Sequence, residues 1–324
     1  MSNNNSVLKI EKIKDLLAVL LTNKCNLNCK HCMRRKDRKK ILDFNIFSKV
    51  ILKSKRFGVS HIALTGGEPG LHPKFENILK LIRENNQTPI IVTNGYTLRK
   101  YGQIIKQSRC IIALSMEGIK KENDYVRGPG SWEELEKSIN FCRGNKLPFL
   151  IHFTVNKINK DNIDDTAEFL TQSGASKIDI GSCLPTYRNK YLVLNKNERI
   201  DAVNKIKSSF RKSYIPVQLS SSILNTNNFT YCSSLLLNNH VLDYNGSMCF
   251  CCDLADFDVQ LIKNRQLLTI SDMSKTSFEE YLIKKNKVIS KVLEYQIKNF
   301  DKMKNVSCNC SKCFIFFGAK LNKK

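Results

Sequence analysis

Cys25, Cys29 and Cys32 stand in the spacing C-x3-C-x2-C, three sulfur donors within eight residues. A cubane iron–sulfur cluster takes four ligands, so such a triplet leaves one iron open to an exogenous ligand. The competing reading is a zinc knuckle, in which His31 would be the fourth donor. Structural zinc is four-coordinate and usually draws on C-x2-C pairs or interleaved histidines, and His31 is placed awkwardly beside Cys32 for chelating one ion. About thirty residues on, Thr65-Gly66-Gly67-Glu68-Pro69 follows the apolar run Ile62-Ala63-Leu64, at the carboxyl end of a second strand. Two glycines let backbone approach a ligand closely, Glu68 supplies an acceptor, and Pro69 stiffens the turn. Such an edge suits an ammonium group, although alone it reads equally as a plain strand-to-helix turn.

Cysteines return near the other end of the chain. Cys232 precedes a strand-like run that reaches the turn Asp243-Tyr244-Asn245-Gly246, then Cys251 and Cys252, and Cys310-Ser311-Lys312-Cys313 closes the series. The turn signal predicts a hairpin. Cys232, Cys251, Cys310 and Cys313 make four thiolates, enough to fill a cluster or a zinc ribbon, and soft sulfur suits both metals. Cys249, Cys252 and Cys308 are spare, and any one of them could take the place of one of these four. Cys110 and Cys142 sit in apolar patterns and read as small buried hydrophobes, while Cys183 lies past the sixth strand, packed in a loop or facing a substrate.

Positioning these residues requires a scaffold, and the hydrophobic pattern supplies one. Short β-rich runs at 16–21, 61–64, 89–93, 111–114, 149–155 and 177–180 alternate with stretches at 46–57, 75–84, 132–143 and 162–172 whose apolar residues recur at three and four. Six βα units predict an α/β fold with a parallel sheet and helices outside it. Parallel sheets bind ligands at the carboxyl ends of their strands, where the motifs above fall. A helix at 197–212, the hairpin and an amphipathic helix at 278–300 complete the pattern. The expected division is a tail at 1–13, a partial (β/α)6 barrel at 14–228, and a small C-terminal β-hairpin plus helix domain at 229–324.

These elements, in this order, resemble the radical S-adenosylmethionine (SAM) superfamily over about residues 14–318. The resemblance implies a 4Fe-4S cluster on Cys25, Cys29 and Cys32 whose open iron chelates the methionine moiety of SAM. It places the methionine amino group at Gly66, Gly67 and Glu68, and His31 against the adenine. Ser115-Met116-Glu117-Gly118 matches a Ser-Leu-Asp-Gly element, and Asn123-Asp124-Tyr125-Val126-Arg127-Gly128 a His-Asp-x-x-Arg-Gly element whose arginine, Arg127, contacts SAM. Asn123 departs from the usual histidine, which leaves no acid or base there. Thr154-Val155-Asn156-Lys157 and Leu184-Pro185 stand where the family lines the ribose and adenine pockets, implying Ser115, Thr154, Asn156 and Leu184 as cofactor-binding residues. The C-terminal cysteines are similar to the twitch form of the SPASM-type extension, with one auxiliary 4Fe-4S cluster on Cys232, Cys251, Cys310 and Cys313. Cys252 resembles the position from which radical SAM peptide epimerases deliver a hydrogen atom.

The implied activity is reductive cleavage of SAM to a 5′-deoxyadenosyl radical that abstracts hydrogen from a substrate carbon. A ribosomally made peptide is the leading substrate, modified by epimerisation, thioether formation or a related C–H reaction. The alternative is a small molecule, such as a sugar alcohol undergoing dehydrogenation. A flavodoxin- or ferredoxin-type electron donor is implied, and with only 24 residues before Cys25 either a separate leader-peptide-binding protein or direct leader binding is expected for a peptide substrate.

Composition agrees with a cytoplasmic enzyme. The start, Met1-Ser2-Asn3-Asn4-Asn5, is polar, and the longest apolar run near it has strand length, so neither a signal peptide nor a membrane span is expected. Thirteen cysteines in tight clusters point to metal ligation in a reducing compartment. The formal charge of +24 is mostly lysine beside abundant Asn and Ile, and without aromatic interleaving it gives no nucleic-acid motif. Arg34, Arg35, Lys36, Arg38, Lys39 and Lys40, after the cysteine loop, read as a solvated loop whose field would steer an acidic partner.

Overall fold

The computed structural model describes residues 16–318 except 35–36, 38, 187, 225–231, 233, 238, 256–264, 304–305 and 307. The expected tail at 1–13 and the boundary at 228/229 lie outside the described residues. In chain order the elements are β1 (Leu16–Thr22), α1 (Phe44–Arg56), β2 (His61–Gly66), α2 (Phe75–Glu84), β3 (Thr88–Thr93), α3 (Tyr96–Gln107), β4 (Ile111–Met116), α4 (Lys121–Arg127), α5 (Ser131–Gly144), β5 (Phe149–Val155), α6 (Ile163–Gln172), β6 (Lys177–Ser182), α7 (Lys196–Ser209) and β7 (Val217–Leu219). The C-terminal part adds β8 (Asn239–Leu242), β9 (Ser247–Cys249), α8 (Arg265–Leu268), β10 (Thr269–Asp272), α9 (Phe278–Lys298), α10 (Phe300–Met303) and α11 (Asn309–Phe316).

All ten strands belong to one sheet, in the order β10-β9-β8-β1-β2-β3-β4-β5-β6-β7. Strands β1 to β7 run parallel to their neighbours. The sixfold βα series is thus present, extended by the short strand β7, whose three residues are too few to show a period. The hairpin β8–β9 forms around the predicted turn, where the Asp243 carboxylate accepts from the amides of Asn245 (2.8 Å) and Ser247 (3.1 Å). β8 pairs in parallel with β1, Leu16 opposite Asn239 and Val19 opposite Leu242, so the C-terminal strands prolong the barrel sheet.

Side chains alternate across the strands. Leu17, Val19, Leu21, Ile62, Leu64, Ile91, Ile112 and Leu114 pack into the helix-covered core, where α2 contributes Phe75, Ile78, Leu79 and Ile82 at helical spacing. The opposite parity faces the barrel interior. On β1 to β4 it is small or aliphatic, with Ala18, Leu20, Ala63, Ile90, Ile111 and Ala113. On β5 and β6 it turns polar beyond Leu150, with His152, Thr154 and Asp179 lining an open cavity. The interior therefore has one apolar wall and one polar wall.

A second core, built from Phe250, Leu254, Leu268, Val288, Ile289, Val292, Phe314 and Phe317, surrounds Cys308 and Cys313. It is fastened to the barrel through α1 and α9. The Phe57 and Phe278 rings lie 5.1 Å apart, and the Lys53 ammonium donates to the carbonyls of Met273 (2.7 Å) and Thr276 (3.1 Å). Truncating Phe278, which is 2 % exposed, removes that clasp and leaves a cavity. Phe278→Ala is expected to cost about 3–5 kcal/mol, and in chemical denaturation the C-terminal part should melt before the barrel where the parent chain unfolds in one transition.

Candidate functional site

The cysteine loop leaves the end of β1 and returns alongside it. The Thr22 hydroxyl donates to the Lys40 carbonyl (2.8 Å), and Asn23 exchanges bonds with Lys40, accepting from its amide at 2.9 Å and donating its own amide at 3.2 Å. Those bonds close the excursion that carries Cys25, Cys29 and Cys32. Its far side is held by α4, since Lys30 donates its amide to Val126 (2.8 Å) and the Cys29 thiol points to the Arg127 carbonyl at 3.8 Å. Asn94, after β3, reaches the Cys25 sulfur at 3.9 Å and the Asn26 side chain at 3.0 Å.

The glycines of the second motif serve this loop directly. Gly66 holds φ at +122°, a region favouring glycine. A Cβ on Gly67 would lie 2.7 Å from the carbonyl carbon of Lys24. The space is closed because two backbones meet there: Gly67 donates to Thr22 (2.6 Å) and Glu68 to Lys24 (2.8 Å). The backbone admitted by the two glycines is thus the chain's own, immediately before Cys25. Glu68 is buried, and its carboxylate accepts from the Thr93 and Thr97 hydroxyls and from the amides of Asn94 (3.1 Å) and Thr97 (3.2 Å). Burial pushes its pKa up against those donors.

Cys25, Cys29, Cys32, His31, Gly66, Gly67, Glu68, Ser115 and Arg127 share a cavity of about 160 Å³ at the carboxyl ends of β1 to β4. At its base lies a charge cluster that sequence patterns do not single out. The Glu117 carboxylate, 1 % exposed, takes the Arg127 guanidinium at 2.6 Å and stands 3.5 Å from His31 Nε2. Glu117 lies within a quoted motif, yet only the three-dimensional packing shows it neutralising Arg127. Asn123 is fully buried, accepting from the Glu117 amide (3.0 Å) and donating to Ser131 (2.9 Å), so it braces the turn. Burial pushes the His31 pKa down while Glu117 pulls it up, and Nδ1 of that ring is buried without a hydrogen-bond partner. Burial pushes the Cys29 thiol up to about 12, with the Arg127 charge opposing.

His31 also borders a second cavity, of about 450 Å³, enclosed by the polar ends of β5 to β7 and by the C-terminal cysteines. Thr154, Leu184, Cys183, Cys232, Cys251, Cys252, Cys310 and Cys313 all line it. Asn156 lines neither cavity: fully buried, it accepts from the Ile158 amide (2.9 Å) and donates to the Thr154 carbonyl (3.3 Å), fixing the loop after β5. Cys249 points elsewhere, to the Asp243 carboxylate at 3.7 Å, and Cys308 contacts Ser311 at 3.2 Å. Asp253, missed in the sequence, stands among the thiols and accepts from Cys252 and Cys310 at 3.7 Å each. Arg34 is not part of a solvated patch. Its guanidinium donates to the carbonyls of Cys252 (2.8 Å) and Ala255, tying the first cysteine loop to the segment after β9 that carries Cys251 and Cys252. Arg35, Lys36 and Arg38 lie outside the described residues.

Among the described residues no three His, Cys, Asp or Glu side chains converge tightly enough for a single ion. The donor chemistry nevertheless fits iron and sulfur at both places. Three thiols rim the smaller cavity, six more border the larger one, and the His31 Nδ1 between them has no hydrogen-bond partner among the described residues.

Residues 19–170 match the radical SAM superfamily profile. They are a radical SAM domain. Curated relatives include the sporulation killing factor maturation protein SkfB of Bacillus subtilis (strain 168), 26 % identical over 173 residues, which is 52 % of this chain and 42 % of that protein. The AdoMet-dependent heme synthase of Methanosarcina barkeri is 30 % identical over 183 residues, 53 % of this chain and 52 % of that one. A GTP 3′,8-cyclase of Clostridium perfringens is 27 % identical over 164 residues, covering 47 % and 50 %. The chain spans about half the length of the curated relatives it matches. The radical SAM fold also agrees with solved structures. Native anSMEcpe with bound AdoMet and Cp18Cys peptide gives a TM-score of 0.68 at 18 % identity, covering 94 % of this chain and 88 % of that one. Streptococcus suis SuiB bound to precursor peptide SuiA gives 0.64 at 14 % identity, covering 82 % and 64 %. At these identities the likeness establishes the fold alone. No helix among the described residues is long and apolar enough to cross a membrane.

Two outcomes follow from the radical SAM site. Glu117→Gln strands the Arg127 charge and releases His31, and losing one partner of a buried pair costs about 3–5 kcal/mol. SAM affinity, read by equilibrium dialysis on the anaerobically reconstituted protein, should fall at least tenfold, whereas Glu117→Asp should recover part of it. Separately, partial burial raises the Asp124 carboxyl, but bonds from the Trp132 amide, Ser131 and the Gly130 amide outweigh it and the net pKa is below the usual aspartate value. A depressed folded-state pKa gives stability that is whole above about pH 4 and lost as pH falls through the folded value. Asp124→Asn should flatten that acid limb in urea midpoints measured from pH 2 to 6.

Proposed function

We propose that this chain is a radical SAM enzyme that modifies a C–H bond of a peptide, with SAM in the smaller cavity and substrate in the larger one. Cys25, Cys29 and Cys32 would hold the first 4Fe-4S cluster, and Cys232, Cys251, Cys310 and Cys313 an auxiliary one. When bound, the first cluster supplies the electron that cleaves SAM to methionine and a 5′-deoxyadenosyl radical, which takes hydrogen from the substrate carbon. The protein's part is orientation and exclusion of water. Glu68 and the adjoining turn fix the amino-group end of the smaller cavity, and the Glu117–Arg127 pair keeps its base free of uncompensated charge. His31 lines both cavities and so stands between them.

The observation that carries the reading is this shared wall: the cavity of the cysteine triplet opens beside a roomier one whose far side is a second set of thiols. Cys252 faces the same space, 3.7 Å from the Asp253 carboxylate. An S–H there is positioned to return a hydrogen atom to a substrate radical, leaving a thiyl radical that one further electron from the external donor and a proton would restore to S–H, which favours epimerisation among the peptide reactions. Relatives in peptide maturation support the substrate class, while the heme synthase and cyclase relatives, with a cavity in the size range usual for small molecules, keep a small-molecule substrate as the second reading. A flavodoxin- or ferredoxin-type donor would supply the electron.

The test is anaerobic reconstitution followed by iron and sulfide analysis, then turnover in deuterium oxide with SAM, dithionite and a precursor peptide, read by mass spectrometry after hydrolysis. About eight irons per chain and deuterium incorporation at one residue are expected. Cys252→Ala should keep 5′-deoxyadenosine formation but lose the epimerised product. A colourless, zinc-only protein would refute the enzyme. Unmodified peptide beside active SAM cleavage would transfer the proposal to the small-molecule substrate.

A further inference from the structure

Helix α9 buries Phe278, Tyr281, Lys285, Val288, Ile289, Val292 and Gln296 along one stripe. Two of these positions break the apolar rule, and both turn toward cysteines. Lys285 is 0 % exposed, yet its ammonium has only the Asn239 carbonyl as hydrogen-bond acceptor, and no carboxylate pairs with it among the described residues. A buried ammonium without an anion costs several kcal/mol. The Asn239 that accepts from it lines the same cavity as Cys232, Cys251 and Cys252, and the Lys285 charge is felt by those three thiols and by the neighbouring His240. Three turns further along, Gln296 is 2 % exposed and donates its side-chain amide to the Cys313 sulfur at 3.7 Å. The helix thus addresses the cysteine set from both ends, with a charge at one and an N–H at the other.

We infer that Lys285 and Gln296 are the redox-tuning residues of the C-terminal centre, Lys285 as the buried counter-charge of an anionic iron–sulfur–thiolate cluster and Gln296 as a donor to its Cys313 ligand. This rests on the reading of Cys232, Cys251, Cys310 and Cys313 as cluster ligands. Four thiolates around a cubane carry net negative charge that grows on reduction, and cluster potentials depend on nearby charge and on hydrogen bonds to sulfur. Both residues favour the reduced state, so both raise the potential. They act through the cluster and touch no substrate.

The experiment uses the full chain with Cys25, Cys29 and Cys32 changed to alanine, so that only the C-terminal centre can load. Iron and sulfide are counted first, and the absence of about four irons there would sink the cluster reading itself. With the cluster present, an EPR-monitored redox titration compares Lys285→Met, Lys285→Arg and Gln296→Leu with the parent. Lys285→Met should lower the reduced fraction at fixed ambient potential about tenfold, equivalent to about 59 mV for a one-electron couple. Gln296→Leu should shift it the same way by less, and Lys285→Arg should match the parent. A midpoint unchanged in Lys285→Met would overturn the inference while leaving the ligand assignment intact. Should Lys285→Met not fold, Gln296→Leu decides, and an unchanged or raised midpoint there counts against it.

Discussion

The site depends on how closely two strand ends can approach. β1 and β2 are adjacent in the sheet, and at their carboxyl ends the chains converge until Gly67 and Glu68 donate to Thr22 and Lys24. Any side chain at Gly67 would occupy the Lys24 carbonyl. These short bonds set where the cysteine loop departs, and the Lys40 contacts set where it returns. Glu68 transmits the same order to the next strand, because its carboxylate gathers Thr93, Asn94 and Thr97 beyond β3. Three consecutive strand ends are therefore registered by one turn, and the thiols inherit their positions from it.

Electrostatics then decide what such a pocket can hold. Arg127 and Glu117 are almost wholly buried, and an ion pair in such a place survives only when its geometry is good and its remaining polar atoms are satisfied. The Glu117 backbone is held by Asn123 and Asn159, and its second oxygen faces His31. The pair leaves the base of the smaller cavity near neutrality, which suits a zwitterionic ligand better than a lone buried cation or carboxylate would. Asn123 illustrates the division of labour. An imidazole there would add a titrating group beside that pair, whereas the amide supplies the same bridging bonds with no charge to balance.

Much of this was legible in the chain because the informative features are local. The C-x3-C-x2-C spacing, the Thr65–Pro69 turn and the alternating βα runs each fit within a window shorter than an element, so the parallel sheet and the loop at its carboxyl edge follow from the residues. What could not be read is what depends on partners distant in sequence. Glu117 meets His31 only after the barrel curls, and Arg34 meets Cys252 across 218 residues. β7 and β10, of three and four residues, carry too little pattern to announce themselves. Within the basic run after the cysteine loop, Arg34 misled for a related reason: charge along a sequence reports no direction, and its guanidinium turns inward to satisfy carbonyls at the end of another loop, whereas Lys39 is exposed.

The continuity of the sheet gives the two cysteine sets a common frame. β1 is bonded on one side to β2, which carries the glycine turn, and on the other to β8, which leads through the hairpin to Cys251 and Cys252. Strand spacing in a sheet is fixed at roughly 5 Å by backbone hydrogen bonds, so the separation of the two sets is set by strand pairing and hardly by the flexible chain between them. Arg34 adds a tie at the upper edge, and Arg188 donates to the Arg34 carbonyl at 2.9 Å, drawing in the loop after β6. A molecule in the larger cavity would be enclosed by strands of this one sheet and the loops they carry. Radical chemistry requires that the reacting carbon be held against one partner and away from others, and a sheet that runs unbroken past both thiol sets provides that restraint through covalent and backbone geometry, before any side chain touches the substrate.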